Sequence, residues 1–430
     1  MKRLTPFVLI IALLCAVFTA CKGSDDHAGS SGQSDSQSTG GELPTIRLLV
    51  DFISDGIGDS ILNYVQWVPG YGTDFKVDYT YLPRTGAERE SQLTSIRTEI
   101  LAGKGPDIFI CCCPNFNYDN SKPLFLFPNQ VMERRIFLPL DSYLENAEYM
   151  EWDKLFQPVM EAGKNEEGQQ LLPMSYQITA MLFDSELYSC TEELPMTWET
   201  VKASDDPMIQ YAGSLQSINN LFGELADYRN DELSFTEDEL LLRYSELRDL
   251  KRLRDQQDLN ELYVEKGGTT LLDIGAPSIP LLGDKLDDSS PNYIMIPQYN
   301  LTGGVTANIT SFAAINRNTK YPELSFRMLD CLLSKDVQSR CPIYGNVMGT
   351  PVHMDLPQRN QPAQTVFGGT WYMSEWNFAQ FSSLRDQVNE VKFYTELDEL
   401  LIRISEEGSK PLDKVVHDNY MKMQMMLAES

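Results

Sequence analysis

The chain has 430 residues, 42% hydrophobic and 10% aromatic, with a formal net charge of −27. That length exceeds one ordinary core and points to two domains, and the apolar content is that of a globular protein. The acidity argues against nucleic-acid binding, which needs Lys and Arg to neutralise phosphate, and against a body lying on an anionic membrane surface.

In chain order, the opening "MKRLTPFVLIIALLCAVFTACKGS" has Lys2 and Arg3, then an apolar stretch from Pro6 to Phe18, then small residues before Cys21. The stretch is too short to span a membrane, so residues 1–20 read as a signal peptide. "FTAC" resembles a bacterial lipobox, in which the cysteine is lipidated and becomes the new N-terminus; it departs from that pattern at Phe18, where Leu is usual. An ordinary secretory peptide cut after "FTA", with Cys21 a bystander, is the competing reading. Residues 21–43 include "KGSDDHAGSSGQSDSQSTGG" and read as a flexible tether, spanning roughly 25 Å for about twenty residues. A lipidated Cys21 followed by a tether would hold the folded body outside the cell membrane. No later segment is long and apolar enough to cross one.

The body alternates strands and helices. "TIRLLVDF" (Thr45 to Phe52), "FKVDYTYL" (Phe75 to Leu82) and "PDIFICC" (Pro106 to Cys112) read as strands. A helix fits between the first two. A second, over Gly86 to Gly103, has Leu93, Ile96, Ile100 and Leu101 at helical spacing and Gly103 as its stop. Strand, helix, strand, helix, strand predicts a parallel sheet with right-handed crossovers, and ligands of such sheets sit beyond the strands' carboxyl ends. The middle is helix-rich. "TEDELLLRYSELRDLKRL" opens with a capping box, Thr236 and Glu239, and lines up Leu240, Leu247 and Leu250. "NYIMIPQYN" and "ITSFAAIN" read as strands, followed by the helix "YPELSFRMLDCLLS". The last helix, "KPLDKVVHDNYMKMQMMLAE", carries an apolar stripe of Leu412, Val415, Val416, Met423 and Met426 that reads as core rather than as a methionine-rich binding face.

Candidates for chemistry are few. None of the three histidines, His27, His353 and His417, stands in an HExxH motif or at ligand spacing to a cysteine. There is no GxSxG, Walker loop or GxGxxG. Acidic residues are so many that nothing marks one pair as a glycosidase pair. No metal and no cofactor is expected. The cysteine triplet Cys111, Cys112 and Cys113 ends a predicted strand, so Cys111 and Cys113 share one face and Cys112 takes the other. Metal sites favour CxxC-type loops, and a disulfide between direct neighbours is strained. The triplet therefore reads as small apolar packing and cleft wall, with metal or redox chemistry the other reading. Cys331 and Cys341 stand close enough in sequence to pair across a helix and its exit.

Several stretches together resemble the extracellular solute-binding proteins of ABC importers, in the sugar-binding family that includes maltose-binding protein. They are "LAGKGPDIFI" (Leu101 to Ile110), "IFLPLDSYLE" (Ile136 to Glu145), "EGQQLLPMSYQITAMLFDSELY" (Glu167 to Tyr188), "LPMTWETV" (Leu194 to Val201), "FAAINRNTKYPELSFRMLDCLLSKDVQ" (Phe312 to Gln338) and "GNVMGTPV" (Gly345 to Val352). Their order and spacing cover nearly the whole mature chain. The resemblance implies an α/β, two-lobed, periplasmic-binding-protein-like fold (class II) with a hinge and a ligand cleft. The N-terminal lobe would be 44–175 plus 309–350, and the C-terminal lobe 176–308 plus 351–430. The first hinge crossing would follow Pro173, the second lie near Thr306 to Thr310, and the third near Met348 to His353.

The same resemblance implies the ligand-binding positions. Asp51, Ser54 and Asp55, in "DFISD", fall where the family places polar sugar contacts. Cys111 falls where maltose binders place a tryptophan, with Cys113 and Asn115 following. Tyr176 and Gln177 follow Pro173. Trp371 and Tyr372 resemble the aromatic pair contributed from the C-terminal helical region, with Trp376 nearby. "LLDIGAPS" resembles a strand and loop where many sugar binders have a tryptophan after the glycine; here Ala276 and Pro277 stand there, followed by Ser278. Two aromatic platforms are thus absent, which puts a malto-oligosaccharide in doubt. The implied function is a monomeric, lipid-anchored binder, not an enzyme, that closes on a small ligand, a carbohydrate, and passes it to ABC permease subunits. The alternatives are the same fold binding a peptide or polyamine or serving a sensor, and a surface glycosidase.

Overall fold

Among the described residues, nine strands share one mixed sheet, and the sequence of each accounts for its place. A computed structural model describes residues 42–52, 61–113, 122–192, 195–274, 282–284, 292–340, 349–356, 363–364, 370–406 and 410–429. The proposed leader, the lipidated Cys21 and the tether up to residue 41 lie outside these residues. The sheet strands are β1 (Thr45–Asp51), β2 (Lys76–Tyr81), β3 (Ile108–Cys112), β4 (Leu171–Asp184), β5 (Thr269–Ile274), β6 (Tyr293–Pro297), β7 (Val305–Ile315), β8 (Thr350–Pro351) and β9 (Val388–Phe393). As the alternation predicts, β1 pairs in parallel with β2 on one side and β3 on the other. The crossover helix Gly86–Leu101 buries Leu93, Ile96 and Ile100, and Gly103 follows its end at φ +70°, a conformation that favours glycine. Leu101, expected on the same stripe, is instead 82% exposed at the last turn.

β4 and β7 form the spine. β7 is buried along all 11 of its residues, and β4 along its 14 residues except Asp184. Near-continuous apolar runs suit strands covered on both faces. Each spine strand changes partners midway. β4 pairs with β7 through Leu171–Ser175, then with β5 and β6 from Ile178 onward. β7 pairs in parallel with β9 over Val305–Ile309, then antiparallel with β3 over Ser311–Ile315. β8 adds to β4 at Ser175 and Tyr176, where that exchange occurs.

The helices follow their sequence signals. Thr236 and Glu239 form the expected capping box of the helix Glu237–Gln256, whose inner face holds Leu240, Tyr244, Leu247 and Leu250. The final helix, Leu412–Glu429, buries Val415, Val416, Met423 and Leu427, while Leu412 and Met426 pack at the edge of the core. One expectation is corrected. Trp371 and Tyr372 lie in the strand Thr370–Met373, central in a small sheet with Leu282–Asp284 and Ala363–Gln364, rather than in a helix. "TWYM" is a β-branched and aromatic run. The helix begins only at Glu375, where the Ser374 hydroxyl accepts the Asn377 N–H at 3.1 Å. By contact density, Leu43–Ser430 forms one compact unit. Among the described residues no helix is long and apolar enough to cross a membrane.

Candidate functional site

The strand pairing brings carboxyl ends together. β3 runs antiparallel to β7 and β9 runs parallel to it, so the two approach one point on β7 from opposite directions. The Cys113 N–H donates to the Thr310 carbonyl at 2.8 Å, and the Tyr394 N–H reaches the Ile309 carbonyl at 3.4 Å. On the other edge of β7, the Ser175 hydroxyl bonds those of Thr310 at 2.7 Å and Ser311 at 2.5 Å. A register shift between Ser311 and Phe312 lets two consecutive β7 hydroxyls reach the same partner. All three hydroxyl residues are fully buried. β8 completes the junction, with Thr350 opposite Tyr176 and Pro351 opposite Ser175. Gly349 is required there: it has φ +113°, and a Cβ would sit 2.4 Å from the Tyr176 carbonyl oxygen. Three strands thus meet at Ser175–Tyr176, Thr310–Ser311 and Thr350–Pro351.

The expected site residues are placed as follows. Tyr176 is buried on the junction, its ring tilted 41° against Phe156 at 5.3 Å. Burial pushes its phenol pKa up, against the opposing pull of the Arg385 guanidinium. Gln177 follows it and is also buried. Asp51, at the carboxyl end of β1, is 3% exposed. Its carboxylate accepts Arg89 Nη1 at 2.8 Å, Arg89 Nη2 at 3.2 Å and the Leu124 N–H at 2.8 Å. Arg89 also donates to the carbonyls of Lys122 and Pro83. Asp51 is therefore a latch that ties β1 to the crossover helix and to the chain returning after β3. Ser54, Asp55, Asn115 and Ser278 lie outside the described residues. Trp371 and Tyr372 are described in backbone only, in register with Asp284 and Gly283. Trp376 is 43% exposed, and its indole N–H donates to the Tyr293 carbonyl at 2.8 Å.

The cysteine triplet occupies the end of β3. Cys111 stands between Asp51 on β1 and Phe312 on β7, and Cys112 opposite Ser311. Their exposures are 2% for Cys111, 8% for Cys112 and 1% for Cys113. Burial pushes the Cys111 thiol well up, aided by the Asp51 carboxylate and the neighbouring sulfurs. The Cys113 thiol is pushed up by burial, then by Cys112 and by Asp398. Protonated, enclosed thiols are poor nucleophiles and poor metal ligands. Among the described residues no group of three or more His, Cys, Asp and Glu side chains could hold a metal ion. Cys331 is a free buried thiol, its pKa raised to about 11 chiefly by burial; its suggested partner Cys341 lies outside the described residues.

Sequence reasoning missed the charged groups behind the junction. Lys392 on β9 and Asp398 on the helix Glu396–Glu406 form an ion pair at 2.6 Å, both wholly buried. Lys392 also donates to the Asn219 carbonyl at 2.8 Å. The Asp398 carboxylate accepts Asn219 Nδ2, the Thr395 N–H and the Thr395 hydroxyl. Glu224 lies near this pair. Burial raises its pKa to about 8, with Lys392 opposing and Asp398 and Glu390 assisting. Its carboxyl accepts Asn129 Nδ2 at 3.2 Å, while Asn129 Oδ1 is buried without a partner. A protonated Glu224 would supply the missing donor. One signal was available for the hydroxyls: Thr310 and Ser311 interrupt the otherwise apolar "ITSFAAI".

No family model matches the sequence, and no curated protein matches it. Solved structures do match in shape. An extracellular solute-binding protein of family 1 from Alicyclobacillus acidocaldarius superposes with TM-score 0.52 at 12% identity, covering 90% of this chain and 99% of the other. A periplasmic oligogalacturonide-binding protein from Yersinia enterocolitica gives TM-score 0.54 at 12% identity, with coverage of 90% and 99%. A de novo designed cysteine esterase gives TM-score 0.55 at 12% identity, with coverage of 91% and 99%. At such identities the likeness establishes the fold, which is that of the periplasmic and extracellular solute-binding proteins.

Proposed function

We propose that this chain is an extracellular solute-binding protein that captures a carbohydrate by closing two lobes on it and delivers it to an ABC importer. The observation that carries the reading is the meeting of β4, β7 and β8 at Ser175, Thr310 and Thr350, where the Ser175 hydroxyl bonds those of Thr310 and Ser311 and both β4 and β7 change partners. Strands that change partners at one point suit a hinge. In this reading the lobes are 44–175 with 309–350, and 176–308 with 351–430, and the partner exchange of β4 and β7 supports that division. Ligand would sit over the converging ends of β3 and β9, where strand carboxyl ends open into a crevice. Sugars suit such a place because their C–H faces stack on aromatic rings while hydroxyls need paired donors and acceptors. The oligogalacturonide-binding neighbour supports that ligand class.

In this reading Asp51 positions the β1 end rather than touching ligand, and Cys111 and Cys113 are wall. Tyr176, Gln177, Trp371 and Tyr372, with Ser54, Asp55, Asn115 and Ser278, supply the contacts. Cys21 carries the lipid and residues 21–43 the tether, with permease subunits as the partner and a monomer as the working unit. Binding is favoured over catalysis because the hydrogen bonds of Ser175 go to two hydroxyls and not to an imidazole or carboxylate that could activate it. A thermal-shift screen of the chain from Leu43 onward against sugars, peptides and amines tests the proposal. A carbohydrate should raise the melting temperature; a rise with a peptide or amine and with no sugar would overturn it.

A further inference from the structure

A cavity of about 430 Å³ opens on the flank of the β1–β3 half of the sheet, between the helices Gly86–Leu101 and Pro128–Glu133. None of the residues that meet at Thr310 lines it. Its walls are apolar: Ile100 and Leu101 from one helix, Phe125 and Leu126 from the approach segment, Val131 from the second helix, and Ile136 beyond it. Leu101, 82% exposed, stands in its mouth. Phe125 is held from behind by edge-on contacts to Phe109 at 5.2 Å and Phe137 at 5.3 Å, so that wall is rigid.

One cation in the wall has no counter-ion among the described residues. Arg97 lines the cavity partly buried, and its guanidinium is fixed by two carbonyls, Nε to Leu124 at 3.0 Å and Nη2 to Pro123 at 2.7 Å. No carboxylate among the described residues lies within ion-pair distance of it. Glu90 on the same helix and, less strongly, Asp51 act on it only at longer range, and Asp51 is already bound by Arg89. Burial lowers the Arg97 pKa, as it does for a cation desolvated without a partner. In a chain of net charge −27, an arginine with no ion-pair partner among the described residues, set in an apolar cavity, is an unusual juxtaposition. Arg134 and Glu429 also line the cavity; Glu429 would repel an anion beside it and Arg134 is engaged elsewhere, so the complementary charge is assigned to Arg97.

We propose that this cavity is a second ligand site, separate from the junction at Thr310, which binds an amphipathic carboxylate: an anionic head on Arg97 and an unbranched apolar tail along Ile100, Leu126, Val131 and Ile136. A guanidinium matches a carboxylate in a planar, two-pronged pairing, and a cavity of this size suits a small molecule that buries most of its surface. Tail length governs affinity, because each buried methylene adds a constant increment.

The probes are decanoate, octanoate and decylammonium, titrated calorimetrically into the whole chain without sugar. Decanoate should bind one to one, octanoate roughly fifteenfold more weakly for its two missing methylenes, and decylammonium should not bind. Arg97→Gln should weaken decanoate at least about tenfold, the scale of one charge-assisted hydrogen bond. Val131→Phe, which fills the cavity from a partly buried wall position, should abolish decanoate binding with the circular-dichroism melt unchanged. Failure of decanoate to bind, equal binding of decanoate and decylammonium, or decanoate binding that survives Val131→Phe would each overturn the assignment. The variants leave the junction at Thr310 intact, so sugar binding is tested separately.

Discussion

Replacing Asp51 with Asn separates a latch from a ligand contact. The carboxylate receives three N–H bonds, two from Arg89 and one from Leu124, with Asp51 and Arg89 each 3% exposed. Asparagine keeps one oxygen and turns an NH₂ toward donors, so Arg89 is left as an uncompensated buried cation. Breaking a buried pair on one side typically costs about 3–5 kcal/mol. Arg89 keeps its bonds to the Lys122 and Pro83 carbonyls, which places the expected loss near the lower end, about 3 kcal/mol. Urea unfolding at pH 7, followed by fluorescence, should show a lower midpoint with unchanged slope. Adding Arg89→Met should recover part of the loss, because the orphaned charge goes with it. A loss below about 1 kcal/mol together with a tenfold drop in sugar affinity would refute the latch and return Asp51 to the ligand contacts.

Three further outcomes follow from the same geometry. Cys111 and Cys113 should resist a thiol-disulfide reagent in the native protein at pH 8 and react on unfolding, mapped by mass spectrometry; rapid native labelling of either would contradict their raised pKa values. Gly349→Ala should cost about 2 kcal/mol or more, since the new methyl meets the Tyr176 carbonyl at a left-handed φ; an unchanged melting temperature would show that the junction yields there. Glu224 has a pKa raised to about 8 in the folded state, so its stabilising contribution is complete below its unfolded value near 4.5 and is lost as pH rises toward 8. Glu224→Gln, an uncharged mimic of the acid, should therefore gain on the native protein in urea stability between pH 5.5 and 7.5; a constant difference across that range would place the Glu224 pKa outside it.

The first third of the sheet was legible because each strand and helix there has its own hydrophobic period and its own stop. The parallel β1–β2–β3 order follows from "TIRLLVD", "KVDYTY" and "IFICC" with helices between them. The proposed hinge crossings rest on resemblance; the structure adds that β4 and β7 change partners near Ser175 and Thr310. The misread setting of Trp371 and Tyr372 has a local cause: the resemblance suggested a helix, and the run "TWYM" before Ser374 has strand propensity. Asp51 stands among the expected ligand contacts because Arg89 is 38 residues away in sequence, and no local pattern announces a pair closed by tertiary packing. The same holds for Lys392, Asn219 and Asp398, whose network spans 179 residues. The cavity beside Arg97 is likewise made by segments with no common motif.

The central claim is that two halves of the sheet close on a carbohydrate about the junction of Ser175, Thr310 and Thr350. Small-angle X-ray scattering of the chain from Leu43 onward, without ligand and saturated with the sugar that most raises its melting temperature, tests it most directly. The account predicts a smaller radius of gyration on saturation, and a smaller change when Ser175, Thr310 and Ser311 are replaced by alanine. Saturable sugar binding with an unchanged radius of gyration would contradict closure about that junction.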